Sequence, residues 1–175
     1  MNEVIQAMKD RRSIRKFKSN MPPKEDIKQI IEAGLYAGNG RGKQATITLV
    51  VTNKELRDEF SKINREIGGW DESFDPFYGA PVILIVLADK ECLTGIYDGS
   101  LVMGNMMLAA HSMGLGSIWI HRAKEEFELP EYQSLLKEMG IEGEWEGIAH
   151  CAVGYIDGEL PEAAARKENR VFWLE

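Results

Sequence analysis

Pro81-Val82-Ile83-Leu84-Ile85-Val86-Leu87-Ala88 is apolar at every position. A run this short, without polar alternation, buries both of its faces, so it is expected as a central strand covered by helices on each side. Towards the C-terminus, Leu101, Val102, Met103, Met106, Met107, Leu108 and Ala110 leave almost no polar face on a helix over 98–113. Gly114-Leu115-Gly116 ends it, a short strand covers 117–121, and a polar helix pair fills 124–140 around Leu129-Pro130. A last strand is expected over 147–155. Towards the N-terminus, 70–79 reads as a loop carrying four aromatics among acids, preceded by a helix over 53–68 with Leu56, Phe60, Ile63 and Ile67 as its apolar face. A strand over 45–52, the glycine-rich segment 38–44, a helix over 23–36 and a short helix over 3–10 complete the order.

The chain has 175 residues, 44% of them hydrophobic, which suits a single domain spanning 1–175 with a real core. There is no internal repeat and no linker. A net charge of -7 argues against nucleic acid or an anionic membrane as partner. Cys92 and Cys151 stand far apart and outside any CxxC spacing, so neither a disulfide framework nor a metal site is indicated. No apolar run reaches the roughly 18 residues of a membrane helix, and the N-terminus lacks a signal peptide's apolar core; a soluble cytoplasmic protein is expected.

Against that acidic background, Arg11-Arg12-Ser13-Ile14-Arg15-Lys16-Phe17 gathers four cations and a hydroxyl. Planar guanidinium groups grip two phosphate oxygens at once, which makes the cluster a candidate phosphate site. The competing reading is a solvated run that offsets the negative end of the preceding helix. The loop Gly38-Asn39-Gly40-Arg41-Gly42-Lys43-Gln44 fails the P-loop pattern, because Ala37 stands at the first glycine and Gln44 replaces the hydroxyl residue. It also precedes a strand, where nucleotide fingerprints follow one; a plain helix-to-strand connection stays open. His111, His121 and His150 show no metal spacing and read as structural. Glu125-Glu126 and Glu142 to Glu146 read as solvated surface, and no GxSxG or HExxH motif is present. Any chemistry must come from something bound.

RRSIRKF at 11–17, the helix and loop ending in Gln44, YGAPVILIVLAD at 78–89, DGSLVMGNMMLAAHSMGLGSIWI at 98–120 and ARKENRVF at 165–172 resemble, in that order, the FMN-dependent nitroreductase family. The resemblance implies an α+β, three-layer fold. Its central sheet would be mixed but mostly antiparallel and flanked by helices, with a C-terminal strand exchanged between subunits. It implies a homodimer with FMN at the interface, NAD(P)H as reductant, and hydride transfer to nitroaromatics, quinones or similar small aromatic acceptors by a ping-pong mechanism, without a metal. Two alternatives stay open: an FMN store or redox sensor without fast turnover, and a dehalogenase or flavin-modifying member of the same fold.

By position, Arg11, Arg12, Ser13 and Arg15 match the residues that hold the FMN phosphate and ribityl chain, and Arg166 with Lys167 matches the C-terminal phosphate contact. Gly38, Asn39, Gly40, Gly42 and Gln44 match the segment that reaches the partner's flavin, with Gln44 at the ring. This segment departs from the common PSxxNxQPW form. Gly38, Asn39, Gly42, Ala45 and Thr46 stand at its proline, serine, asparagine, second proline and tryptophan, so the side-chain contacts at Asn39 and Gly42 are not carried over. Trp119, Ile120 and His121 match the strand end along the isoalloxazine. The resemblance assigns the backbone amide of His121 to flavin N5 and no role to its imidazole. Trp70, Phe74, Phe77 and Tyr78 are read either as a cover for the open ring face or as a hydrophobic plug.

Overall fold

The computed structural model describes residues 2–175. Helices α1 (Glu3–Asp10) and α2 (Lys24–Leu35) are followed by a single 3-10 turn (Gly40–Gly42), β1 (Thr46–Val51), α3 (Lys54–Gly68) and β2 (Val82–Asp89). The chain continues through α4 (Gly95–Ser112), β3 (Gly116–Ile120), α5 (Ala123–Phe127), α6 (Pro130–Glu138) and β4 (Trp145–Gly154). The strands form one antiparallel sheet in the order β1-β2-β4-β3. The expected mixed character reduces, among the described residues, to one isolated parallel bridge between Ser13 and Ser117.

β2 is the centre the sequence asks for. Val82 to Ala88 are all buried, and alternate residues serve opposite layers. Ile83, Ile85 and Leu87 join Leu49, Val51, Phe60, Phe77, Ile118 and Phe127 under α3, α5 and α6. Val82, Leu84 and Val86 join Ile27, Ile30, Val102, Met103, Met106 and Cys151 under α2 and α4. Full burial of one such aliphatic side chain contributes about 1.5–3 kcal/mol, which fixes this strand between two cores.

Two helices present different faces from those expected. In α3 the buried stripe is Arg57, Phe60, Ser61 and Asn64, whereas Leu56 is 45% exposed. The helix has turned by about one residue, because polar partners await Arg57, Ser61 and Asn64 inside. α4 begins one turn early and keeps an apolar outer face of Ile96, Tyr97 and Leu101, since only its opposite side meets the sheet.

β4 bulges where its register against β2 slips between Val86 and Leu87. Ile148 is the extra residue, and at Gly147 beside it a Cβ would run into the carbonyl of Ala123. The bulge and its glycine let the start of α5 sit directly on the sheet, which brings the turn after β3 to its place.

Among the described residues no strand follows β4. Val171, Phe172, Trp173 and Leu174 are 74–99% exposed in the protomer. Among the described residues no helix is long and apolar enough to cross a membrane.

Candidate flavin site

The Arg11–Phe17 segment leaves α1 extended and is stitched along β3. Ile14 N donates to Ser117 O at 3.1 Å, and Phe17 bridges Ile156 antiparallel beyond it. Ile14 and Phe17 go into the core, which holds the intervening polar residues in fixed directions. Arg11, Arg12 and Ser13 line a cavity of about 630 Å³, together with Met8, Ala163 and Arg166. Cations from both ends of the chain therefore converge. Arg11 Nη1 and Arg12 Nε are buried without a hydrogen-bond partner, a costly state that an anion in the cavity would relieve. The donor set fits a phosphate monoester, through charge-assisted bonds from paired guanidinium groups. The charge of Arg11 is also felt by the buried thiol of Cys151. Burial pushes that thiol up to about 12, and the arginine charge acts in the opposite direction. Arg15 and Lys167 are exposed and do not line this cavity.

From Ser117, which bridges Ser13, four residues at about 3.3 Å each reach His121 just past the end of β3, roughly 13 Å along the chain from that bridge. There Trp119 and His121 line a second cavity of about 520 Å³ with Ile96, Arg122, Lys124 and Glu146, while Ile120 is buried in the strand. Trp119 Nε1 donates to His121 Nδ1 at 3.2 Å, so the imidazole is engaged by its neighbour. The turn at Arg122 is left-handed (φ 79°), a conformation costing a non-glycine residue on the order of 1 kcal/mol and retained only where its surroundings impose it.

Those surroundings correct one expectation. Glu126 is fully buried rather than solvated. Its Oε2 lies 2.7 Å from Nε2 of buried His150, and its Oε1 accepts from Asn64 Nδ2 at 2.8 Å. The same Asn64 Nδ2 donates to the carbonyl of His121, also at 2.8 Å. The sequence carries a sign of this network in the 57–61–64 polar stripe at helical spacing, beside the apolar residues Leu56, Phe60, Ile63 and Ile67. Glu146, half-buried, pairs with Lys124 at 2.8 Å.

In the aromatic loop the plug reading holds for Phe77, fully buried with its ring 5.2 Å from that of His150. Trp70 is partly exposed and stacks edge-on with Phe74. Asp75 anchors the loop by accepting from Ser61 Oγ at 2.8 Å, from the backbone of Phe77 and Gly79, and from Arg57.

The glycine segment lines neither of these two cavities in its own protomer; Gly40 borders a small one of about 140 Å³ with Thr94. Gly40 N donates to buried Asp98, and Asn39 Oδ1 accepts from Gln44 N at 3.0 Å, closing the turn on itself. Gly38 and Gly42 are exposed, and Gln44 adopts φ 50°. One chain thus brings Arg11, Arg12, Ser13 and Arg166 together, sets Trp119 and His121 apart from them along β3, and leaves Gly38 to Gln44 elsewhere.

The family model described as the nitroreductase family matches residues 8–155. The fold is similar to that of a nitroreductase with bound FMN from Bacteroides fragilis, at 26% identity and a TM-score of 0.91 with both chains fully covered. The sequence is similar to an FMN reductase [NAD(P)H] from Bacillus subtilis, 29% identical over 75% of this chain and 62% of that one. It is also similar to an iodotyrosine deiodinase from Thermotoga neapolitana, 23% identical over 93% of each.

Proposed function

The chain belongs to the nitroreductase family, and from that premise we propose that it is an FMN-dependent oxidoreductase passing hydride from NAD(P)H to nitroaromatic, quinone or similar flat acceptors. The observation that carries this reading is the basic cavity, where Arg11, Arg12 and Ser13 meet Arg166 with buried guanidinium nitrogens left unpartnered. Those four residues would hold the phosphate, with Arg15 and Lys167 as outer cations. Trp119, Ile120 and His121 would lie along the ring, with the His121 amide at its N5. FMN, when bound, supplies the hydride chemistry; the protein supplies binding, orientation and exclusion of competing reactions.

A homodimer completes the site in this reading. Gly38, Asn39, Gly40, Gly42 and Gln44 line neither the basic cavity nor the Trp119–His121 cavity of their own protomer, which suits a segment serving the flavin of a second copy. The apolar outer face of α4 and the exposed 171–174 segment offer the surface for such pairing.

The test is the visible spectrum of the purified protein, followed by anaerobic addition of NAD(P)H and then of a nitro compound or quinone. Rapid bleaching and restored colour are expected. A protein that binds FMN but is not bleached within the time of turnover is a flavin store or sensor, and one that never binds FMN overturns the reading. The deiodinase-like length match gives a second acceptor class, halogenated phenols, to be assayed in parallel.

A further inference from the structure

The buried trio Asn64, Glu126 and His150 has no place in the proposed chemistry, yet it lies directly behind the ring end of the site. Asn64 is wholly buried, and both groups facing its amide nitrogen, the His121 carbonyl and Glu126 Oε1, are acceptors at 2.8 Å. The side-chain amide is thereby oriented with its nitrogen towards them. Glu126 is held in turn by His150, which sits opposite Ile120 in the β3–β4 ladder. Glu126 N also donates to Arg122 O at 3.0 Å. The three consecutive residues Ile120, His121 and Arg122 are therefore each tied to the same cluster, by ladder, side chain and helix start.

All peptide bonds here are trans, so within one peptide the C=O and N–H point in opposite directions. A His121 carbonyl turned inward onto Asn64 turns the Arg122 N–H outward, towards the cavity that His121 and Arg122 line. The left-handed φ of Arg122 is the conformation this arrangement imposes. We propose that Asn64, locked by Glu126 and His150, is a positioning residue that fixes the His121–Arg122 peptide so that its N–H, which is Arg122's and stands one residue beyond the His121 amide placed at N5 above, faces the ring end of the cofactor. This rests on the flavin reading above. A fixed donor there favours the electron-rich reduced ring over the oxidised one, because it needs no reorganisation as charge develops.

The experiment compares the wild-type holoprotein with Asn64→Leu, which keeps the branched heavy-atom skeleton and removes both donated bonds, and with Glu126→Gln, which keeps a neutral contact to each neighbour. Two quantities are measured: the Kd for oxidised FMN, and the midpoint potential of bound FMN by spectroelectrochemistry. In Asn64→Leu the oxidised-FMN Kd is expected to stay within about threefold, since the basic cavity is untouched. The preference for reduced flavin should fall about tenfold, which is about 30 mV towards lower potential for a two-electron couple. Glu126→Gln should move the potential in the same direction by less, and it carries the test if Asn64→Leu does not fold. A merely structural role would lower the melting temperature and leave the potential unmoved; that result, in a wild type that binds FMN, overturns the positioning role alone. A wild type that binds no FMN overturns the functional reading, and this inference with it.

Discussion

The guanidinium of Arg122 sits over the indole of Trp70, 4.1 Å from the ring centroid, joining the tip of the aromatic loop to the turn that ends β3. An exposed cation–π pair of this kind contributes about 0.5–1 kcal/mol. Trp70→Ala should therefore lower the unfolding free energy by about that amount, with Trp70→Phe intermediate, in urea titrations. It should also speed proteolytic cleavage within 70–79. Unchanged cleavage would mean that Asp75 alone fastens the loop.

Arg11→Ala should weaken FMN binding by about 1.5–3 kcal/mol, the range for a hydrogen bond to a charged group. Thermal stability should barely fall, because the guanidinium now has an unpartnered buried nitrogen. Arg15→Ala, outside the cavity, should weaken FMN binding by less. Equal effects by isothermal titration would mean that the two arginines act only through net charge.

Gly147→Ala should destabilise the fold by more than 2 kcal/mol, because the new methyl meets the Ala123 carbonyl and a backbone cannot yield as a side-chain tip does. Loss of α5 from its seat should also move the His121 turn. Chemical denaturation measures the first effect, and the spectrum of bound flavin the second.

Asp75 carries a pH signature. Burial raises its pKa, but the hydrogen bond and charge of Arg57, with the donors Ser61 and Gly79, bring it to a net value below the ordinary carboxylate range. Its contribution to stability is therefore present above the unfolded value of about 3.9 and is lost as pH falls through the lowered folded value. Asp75→Asn should cost about 1–3 kcal/mol at pH 7. The gap between variant and wild type should close only below about pH 4. A gap that closed between pH 5 and 6 would point to a different titrating group.

Truncation after Glu162 removes Arg166 and the apolar 171–174 segment together. If that segment docks on a second copy, the truncated chain should lose FMN and elute as monomer or aggregate in size-exclusion chromatography. A shortened chain that stayed dimeric and yellow would refute the docking.

Strand β2 was readable because burial on both faces leaves a continuous apolar run, a pattern that survives in one dimension. The helix and strand order followed from caps and glycines: Asn53 accepts from Leu56 N, and Gly69 closes α3 with φ 66°. The Glu126 cluster was hidden for the opposite reason. Glu126 is flanked by Lys124, Glu125 and Glu128, all exposed, and only packing of α5 onto the β4 bulge selects it for burial. The face of α3 was misread because Leu56 and Ile67 outweigh Ser61 and Asn64 in any apolar count, whereas the fold buries the residues whose polar partners are already inside. In the basic segment, the sequence announced the charge of Arg11 and Arg15 equally. Only the stitch to β3 separates the one that lines the cavity from the one that faces water.

That stitch also sets an order of events. Arg11 and Arg166 come from nearly opposite ends of the chain, and bridges from Ser13 to Ser117 and from Phe17 to Ile156 close the ring between them. Contacts of such sequence separation form late, since the entropy of closing the loop must be met before they return anything. The residues of β1 to β4 all precede Arg166 in the chain, so the sheet can be made without it and the cavity cannot. The basic cavity is thus assembled on a sheet that already stands, and until Arg166 joins it the N-terminal arginines hold only one side of the grip on an anion.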